Sequence, residues 1–422
     1  GIRLGRTTLY PSIELSAASD DNIFQEFQDP TRSSIYDVAP TIRWDIPLSR
    51  SLLKLNYQPQ LEDYRDNALS SSFNQVLETS LEAEFRNQAT LKVSNVFERA
   101  TRQLQEITSG EVTFTGDRFD QDQFTATYGH PVGRRQTLEV GGRFGTLRFA
   151  DRNNAAFFDF TEGGLVGAWS VNLTKDLAYR VELQATETTQ NRPPLVVRRD
   201  PGGPNEELVV LPGFKEDNFS ERIYWSGLEG TLGDRFRTRT LLGLGELVFD
   251  KPGASSYRGL TLQSQTELRL GRALTVILRA GRRAEPSFFN VSNFFISEKG
   301  GVSIRWRTPH RLSFRLGFSR QDNSYPTPVA TDLDGDPTTG DASGNDVAPD
   351  PTVNFKAGVF RKDRTDSLTA GVDFTLLIHQ WSVFIEVSDL NRSSNIRLFD
   401  YDQTVARVGL RFGWFQSASG GI

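Results

Sequence analysis

The chain has 422 residues, a formal net charge of -5, 37% hydrophobic residues, and neither cysteine nor methionine. That charge leaves no basic footprint for nucleic acid, and the missing cysteine removes disulfides, zinc thiolates and thiol nucleophiles. No run of about 18 apolar residues offers a helical membrane span, whereas a barrel, apolar only at every second position, keeps its average hydropathy low.

In chain order, Gly1 is not preceded by a charged-then-apolar leader, so an exported form is expected to have lost its signal peptide. From there on alternating segments are joined in turn by short polar and long Asp/Asn/Pro-rich connections. Short ones are expected at 47–50, 86–88, 129–135, 174–176, 233–235, 271–273, 308–310 and 362–366. Long ones are expected near 19–34, 62–72, 103–121, 150–160, 190–219, 250–257, 284–297, 320–351 and 390–400. This sorting predicts an all-β fold: one transmembrane antiparallel up-and-down β-barrel over 1–422, with short periplasmic turns, long extracellular loops and a C-terminal tail at 416–422. The count is eighteen strands, with both chain ends on the short-turn side. Within 367–390 the apolar register switches, and His379-Gln380 is read as a bulge in one long strand.

One face of these strands is greasy. Val38, Ile42, Trp44 and Ile46 form a stripe, as do Leu53, Leu55 and Tyr57, and later Leu312, Phe314, Leu316 and Phe318. Aromatics gather near the short turns, at Trp44, Phe85, Tyr128, Trp169, Tyr179, Trp306 and Trp414, where an interfacial girdle belongs.

The opposite face is expected to line a lumen. Its first half is mixed, with Glu14, Glu78, Glu82, Glu84, Glu139 and Glu182 beside Arg43, Lys54, Arg143 and Arg180. From the twelfth strand on it turns basic, with Arg269, Arg279, Arg283, Arg305, Arg307, Arg311, Arg315, Arg407 and Arg411 opposed mainly by Glu267. A cationic arc facing a more acidic wall concentrates anions and sets a transverse field, and the planar arginine fork suits carboxylate, sulfate or phosphate. The alternative is that these arginines pair with lumen carboxylates and only rigidify the wall.

Two long loops stand out. Residues 190–219 hold apolar pieces that could fold inward as a constriction or meet a partner outside. Residues 320–351 hold Asp332, Asp334, Asp336 and Asp341 around glycine, a spacing of hard oxygens that makes calcium a candidate ligand, against a solvated loop. No cofactor other than this calcium is suggested. Enzyme signatures are missing: the three histidines, His130, His310 and His379, bring no Gly-x-Ser-x-Gly elbow, HExxH or phosphate loop with them.

The last alternating stretch, 404–415, sets Ala406, Val408, Leu410, Phe412 and Trp414 against Arg407, Gly409 and Arg411, and resembles the terminal strand of outer-membrane barrels. At the other end, Tyr10-Pro11 with Glu14, then Asp20-Asp21-Asn22-Ile23-Phe24, Asp37 to Asp45 with Pro40 and Trp44, and Leu53 to Tyr57 resemble the opening of the beta-barrel porin 2 family. The likeness covers roughly the first hundred residues; beyond them only the strand rhythm agrees. It implies a bacterial outer-membrane porin that secretes an exopolysaccharide or capsular polysaccharide, similar in role to the eighteen-strand alginate exporter. The implied partners are outer-membrane lipid, the polysaccharide and a periplasmic polysaccharide-export protein. A plugged docking barrel of a larger envelope assembly and a general diffusion porin are the other readings.

Overall fold

The computed structural model describes residues 1–25, 30–65, 70–101, 118–150, 159–191, 196–199, 207–210, 218–250, 254–287, 294–331, 356–376, 380–395 and 399–414, and these form a closed antiparallel transmembrane barrel of eighteen strands. After a short β1 (Ile2–Leu4), the wall runs through β2 (Thr7–Asp20), β3 (Ser33–Pro47), β4 (Ser51–Tyr64), β5 (Ser72–Glu84), β6 (Thr90–Ala100), β7 (Phe119–Val132), β8 (Gln136–Phe149), β9 (Asp159–Asn172) and β10 (Leu177–Asn191). A separate two-stranded sheet, β11 (Val196–Arg199) with β12 (Glu207–Val210), lies in the connection predicted at 190–219. The wall resumes with β13 (Phe219–Leu232), β14 (Phe236–Phe249), β15 (Tyr257–Leu270), β16 (Leu274–Pro286) and β17 (Phe294–Arg307). It ends with β18 (Leu312–Thr331), β19 (Lys356–Thr375), β20 (Trp381–Ser394) and β21 (Tyr401–Gly413). β21 pairs with β2 from Ser12↔Gly413 to Asp20↔Val405, so the sheet has no free edge at its seam.

Ion pairs that skip strands identify the concave face. Arg283 on β16 reaches Glu221 on β13 at 2.8 Å, and Arg143 on β8 approaches the same carboxylate at 3.9 Å. Residues of opposite parity point outward and make an apolar belt; Leu165 on it is 70% exposed, with Val140, Leu242, Leu260 and Ile385 similarly bare. A continuous exposed apolar surface of this kind requires hydrocarbon around it.

The belt has unlike borders. On the short-turn side lies the aromatic girdle, where Phe85 meets Tyr128 edge-on at 6.3 Å, Trp306 stacks on Phe314 at 5.3 Å and Trp381 meets Phe412 at 4.3 Å. Trp44, Trp169 and Tyr179 are exposed in the same zone, and Trp414 follows β21 at that rim. On the long-loop side a collar of outward charges is paired across strands: Arg99 with Asp120 (2.6 Å), Arg282 with Glu298 (2.8 Å), Arg320 with Asp366 (2.6 Å) and Arg364 with Asp322 (2.8 Å).

The collar corrects two expectations. Residues 362–366 are not a turn but part of β19, with Lys362 paired to Ser324 and Asp366 to Arg320 along β18. The chain instead reverses after β19, where the Leu376 amide donates to the Trp381 carbonyl at 2.9 Å, so His379-Gln380 is no bulge; His379 itself lies outside the described residues. Charge on both faces reads as a turn in sequence, but here the strands run past the hydrocarbon into water. The two misplacements cancel and leave the count at eighteen.

One row of the wall is incomplete. β15 and β16 pair only from Leu270↔Leu274 to Leu262↔Arg282, so Tyr257 to Thr261 pair with β14 but not with β16. A carbonyl outside the ladder needs a donor, and the Arg282 guanidinium supplies one to Leu260 while also donating to the Tyr257 hydroxyl at 3.0 Å. On the inner side Arg283 holds Glu221, so consecutive arginines clasp the seam from both faces.

Candidate pore lining

The arc from β15 to β21 carries the arginines expected to line a pore. Alternation sends Arg269, Arg279, Arg305 and Arg315 inward because their neighbours Leu268, Leu278, Ile304 and Leu316 take the lipid side. Arg305 and Arg315 stand directly opposite each other in the ladder, an arrangement of like charges that destabilises a sheet unless acids lie nearby. The acids come from strands further round. Arg315 contacts Asp373 at 3.1 Å and Glu386 at 3.4 Å, and Arg411 contacts Asp373 at 2.6 Å and Glu14 at 2.7 Å. Arg407 lies 3.6 Å from Asp37, and Arg269 pairs with Glu267 at 2.6 Å while remaining largely exposed. Arg279 leans toward Gln265 at 3.4 Å and Ser303 at 3.5 Å.

Glu267 is therefore not the main counter-charge of this arc; Asp373, Glu386, Glu14 and Asp37 share that work. Asp373 and Glu386 escape a sequence reading that runs β19 and β20 together. Arg307 ends β17 at the short-turn mouth. Arg311 sits in the following turn with φ 66, its guanidinium donating to the Leu376 carbonyl at 3.0 Å, so it belongs to the lip and not to the wall.

Across the lumen the wall is mixed. Glu78 accepts from Asn56 at 3.0 Å, and Glu82 is exposed. Glu139 pairs with Arg180 at 2.7 Å, and Arg180 also holds Glu182 at 2.7 Å, which Arg239 approaches at 3.5 Å. Arg143 donates to Thr186 at 2.7 Å and, with Arg283, brackets Glu221.

Toward the long loops the inner face fills up. Phe219, Leu247, Phe249, Tyr257 and Phe294 pack into one cluster, Ala18, Ile23, Ile35 and Tyr64 into a second, and Ala100, Phe119 and Leu147 into a third. Midway down, Ile223, Trp225 and Leu241 form a fourth, and the Trp225 indole N–H is buried without a hydrogen-bond partner among the described residues. Near the short-turn side, Phe384 lies over Gly409, where a methyl group would collide with its ring, and the Arg411 guanidinium stacks on the same ring at 3.8 Å. Sequence reading missed Trp225 because both faces of β13 are apolar; its shared parity with Glu221 was the available signal.

Buried charge at the long-loop rim is satisfied locally. Glu62 accepts from Gln60, Tyr64, Ser72 and Asn74 at 2.9 to 3.1 Å. Asp363, level with the collar and so outside the belt, takes a two-pronged bond from Arg361 at 2.7 and 3.0 Å and another from Arg392 at 2.6 Å. Arg361 is sandwiched between Tyr325 at 4.4 Å and Phe399 at 3.3 Å. Burial works against the Asp363 charge, but the two guanidiniums outweigh it and hold its carboxyl below the usual carboxylate range.

Such a lining can orient and pass charged or hydrated solutes. Asp332, Asp334, Asp336 and Asp341, the calcium candidates, lie outside the described residues, as does the C-terminal tail at 416–422. Among the described residues no cluster of three or more His, Asp or Glu side chains is arranged to hold a metal ion.

No protein-family model matches the chain, and no curated protein matches it by sequence. Among solved structures it is similar to the siderophore receptor PirA of Pseudomonas aeruginosa, at 11% identity and a TM-score of 0.47, over 96% of this chain and 80% of that one. It is also similar to OpdL of the same organism, at 10% identity and a TM-score of 0.46, over 97% of this chain and 98% of that one. The FrpB iron transporter of Neisseria meningitidis matches at 7% identity with a TM-score of 0.48, over 96% of this chain and 82% of that one.

Proposed function

We propose that this barrel is a bacterial outer-membrane channel, and that its cargo is an exopolysaccharide or capsular polysaccharide with anionic groups. The observation that carries the reading is the short-turn half of the lumen, where Arg269, Arg279, Arg305 and Arg307 face inward and keep contact with water. A closed wall with a hydrated, arginine-bearing interior attracts and aligns carboxylate- or phosphate-bearing chains. The resemblance of the first hundred residues to an export-associated porin family supports the choice of a secreted polymer, received at the short-turn mouth from a periplasmic export protein.

A second reading is favoured by the filled long-loop half: a barrel occluded there would act as a docking element of an envelope assembly. Planar-bilayer recording of the purified barrel separates the two. The channel reading expects ion conductance with anion preference, reduced in an Arg305→Gln/Arg315→Gln variant, together with reduced polymer secretion in cells carrying that variant. A silent barrel and unchanged secretion would sink it.

A further inference from the structure

We propose that the short-turn lip is a binding ring for anionic phospholipid headgroups. Six of the hairpin turns at that end each expose a cation: Arg50 between β3 and β4, Arg86 between β5 and β6, Arg134 between β7 and β8, Lys175 between β9 and β10, Arg235 between β13 and β14, and Arg272 between β15 and β16. Only Asp176 and Asp234 offset them within the same turns. Among the described residues, none of the six has an ion-pair partner, which sets them apart from the long-loop collar, where Arg99, Arg282, Arg320 and Arg364 are each held by an acid. Consecutive turns are separated by two strands, so the cations recur about every 10 Å along the rim.

Their level in the bilayer is fixed by the neighbouring rings. Trp44 lies near the β3 end, Phe85 directly follows β5, and Trp169 lies just before the β9 end, all on the outward face next to these turns. Aromatics of that kind sit at headgroup depth, and a guanidinium or ammonium a few residues further along the strand reaches the phosphate layer with its stem still on apolar surface. Cations left without a protein partner at that depth are each stabilised by an anionic leaflet surface. Lipid phosphate is favoured over a soluble polyanion because the cations are spread along the outer lip from β3 to β16 beside the girdle and are not gathered at one inward site.

Tryptophan fluorescence tests this without knowledge of any substrate, since Trp44, Trp169, Trp306, Trp381 and Trp414 all stand at this end and only Trp225 is lumenal. The full-length barrel is placed in mixed vesicles in which either phosphatidylglycerol or phosphatidylcholine carries bromine. The expected result is a relative association constant for phosphatidylglycerol of about threefold over phosphatidylcholine, falling to about one in about 1 M salt. A variant with the six cations changed to Gln should lose the preference at low salt, and the same six changed to a lysine or arginine should keep it. Equal quenching by the two lipids, or a preference that survives in the Gln variant, overturns the proposal. So does a Gln variant that keeps its lipid preference but loses binding of polygalacturonate, which would assign the ring to a polymer. If the Gln variant does not fold, salt dependence of the unaltered barrel decides.

Discussion

The two halves of the lumen obey different rules. At the long-loop end inward side chains are buried, whether apolar, like Phe219, Leu247 and Tyr257, or charged, like Glu62, Arg361 and Asp363. At the short-turn end inward charges such as Glu82, Lys92, Arg269 and Arg307 keep solvent contact. One half is built like a protein core and the other like a hydrated vestibule. The difference locates rigidity at one mouth and solute access at the other, because a buried charge must be matched by fixed partners whereas a wet one can exchange them.

The sharpest way to break this contrast is Asp363→Asn, which strands the Arg361 and Arg392 guanidiniums in a buried site. It should cost about 3–5 kcal/mol in urea unfolding from detergent micelles, whereas Asp366→Asn, opposite Arg320 on the wet outer collar, should cost less than about 1 kcal/mol. The pH dependence follows. Because the Asp363 carboxyl is held below its unfolded value, its contribution is complete above about pH 4 and is lost as pH falls through the lowered folded value. Stability of the unaltered barrel against urea should therefore fall with acid, and the Asp363→Asn barrel should show a flatter profile over that range.

Phe384→Ala removes the ring that fills the space over Gly409 and supports Arg411, for an expected loss of about 3 kcal/mol in the same assay. Arg282→Ala removes one of the two donors to the Leu260 carbonyl at the β15–β16 seam and leaves the Tyr257 hydroxyl, at 3.0 Å, as the other, so it should cost about 1 kcal/mol. Hydrogen exchange should rise at Tyr257 to Thr261 but not in the fully paired β8–β9 ladder. Smallest of all is Trp225→Phe. It deletes an indole N–H that has no partner among the described residues, so stability should stay within about 1 kcal/mol of the starting value; a large loss would mean that this N–H is in use.

The sequence carries the outward face well because period-two alternation is a local signal. Val38, Ile42 and Trp44 on β3, and Val408 and Leu410 on β21, are exposed where the pattern puts them. The inward face is only half legible. Parity sends Arg315 and Arg411 inside, but their partners Asp373, Glu386 and Glu14 depend on register and closure, which join residues hundreds of positions apart, as in Arg411 with Glu14. Turns fail where strands leave the membrane: Lys362 to Asp366 has the composition of a loop, yet it pairs along its length with β18 and, from Asp363 on, with β20. Trp225 is hidden for the opposite reason, since Tyr224 and Leu228 make the other face of β13 apolar as well.

The chain has no cysteine, so each introduced thiol is unique. Single variants Glu82→Cys, Arg269→Cys and Arg305→Cys in the vestibule, Ile223→Cys and Leu241→Cys in the packed region, and Leu242→Cys on the belt can be reacted with a charged, membrane-impermeant thiol reagent in liposomes open to both sides. The three vestibule thiols should react fast, and those at 223, 241 and 242 at least about tenfold more slowly. Uniform rates at all six positions, or slow reaction at 82, 269 and 305, would contradict a barrel whose inner face is wet at one end and packed toward the other.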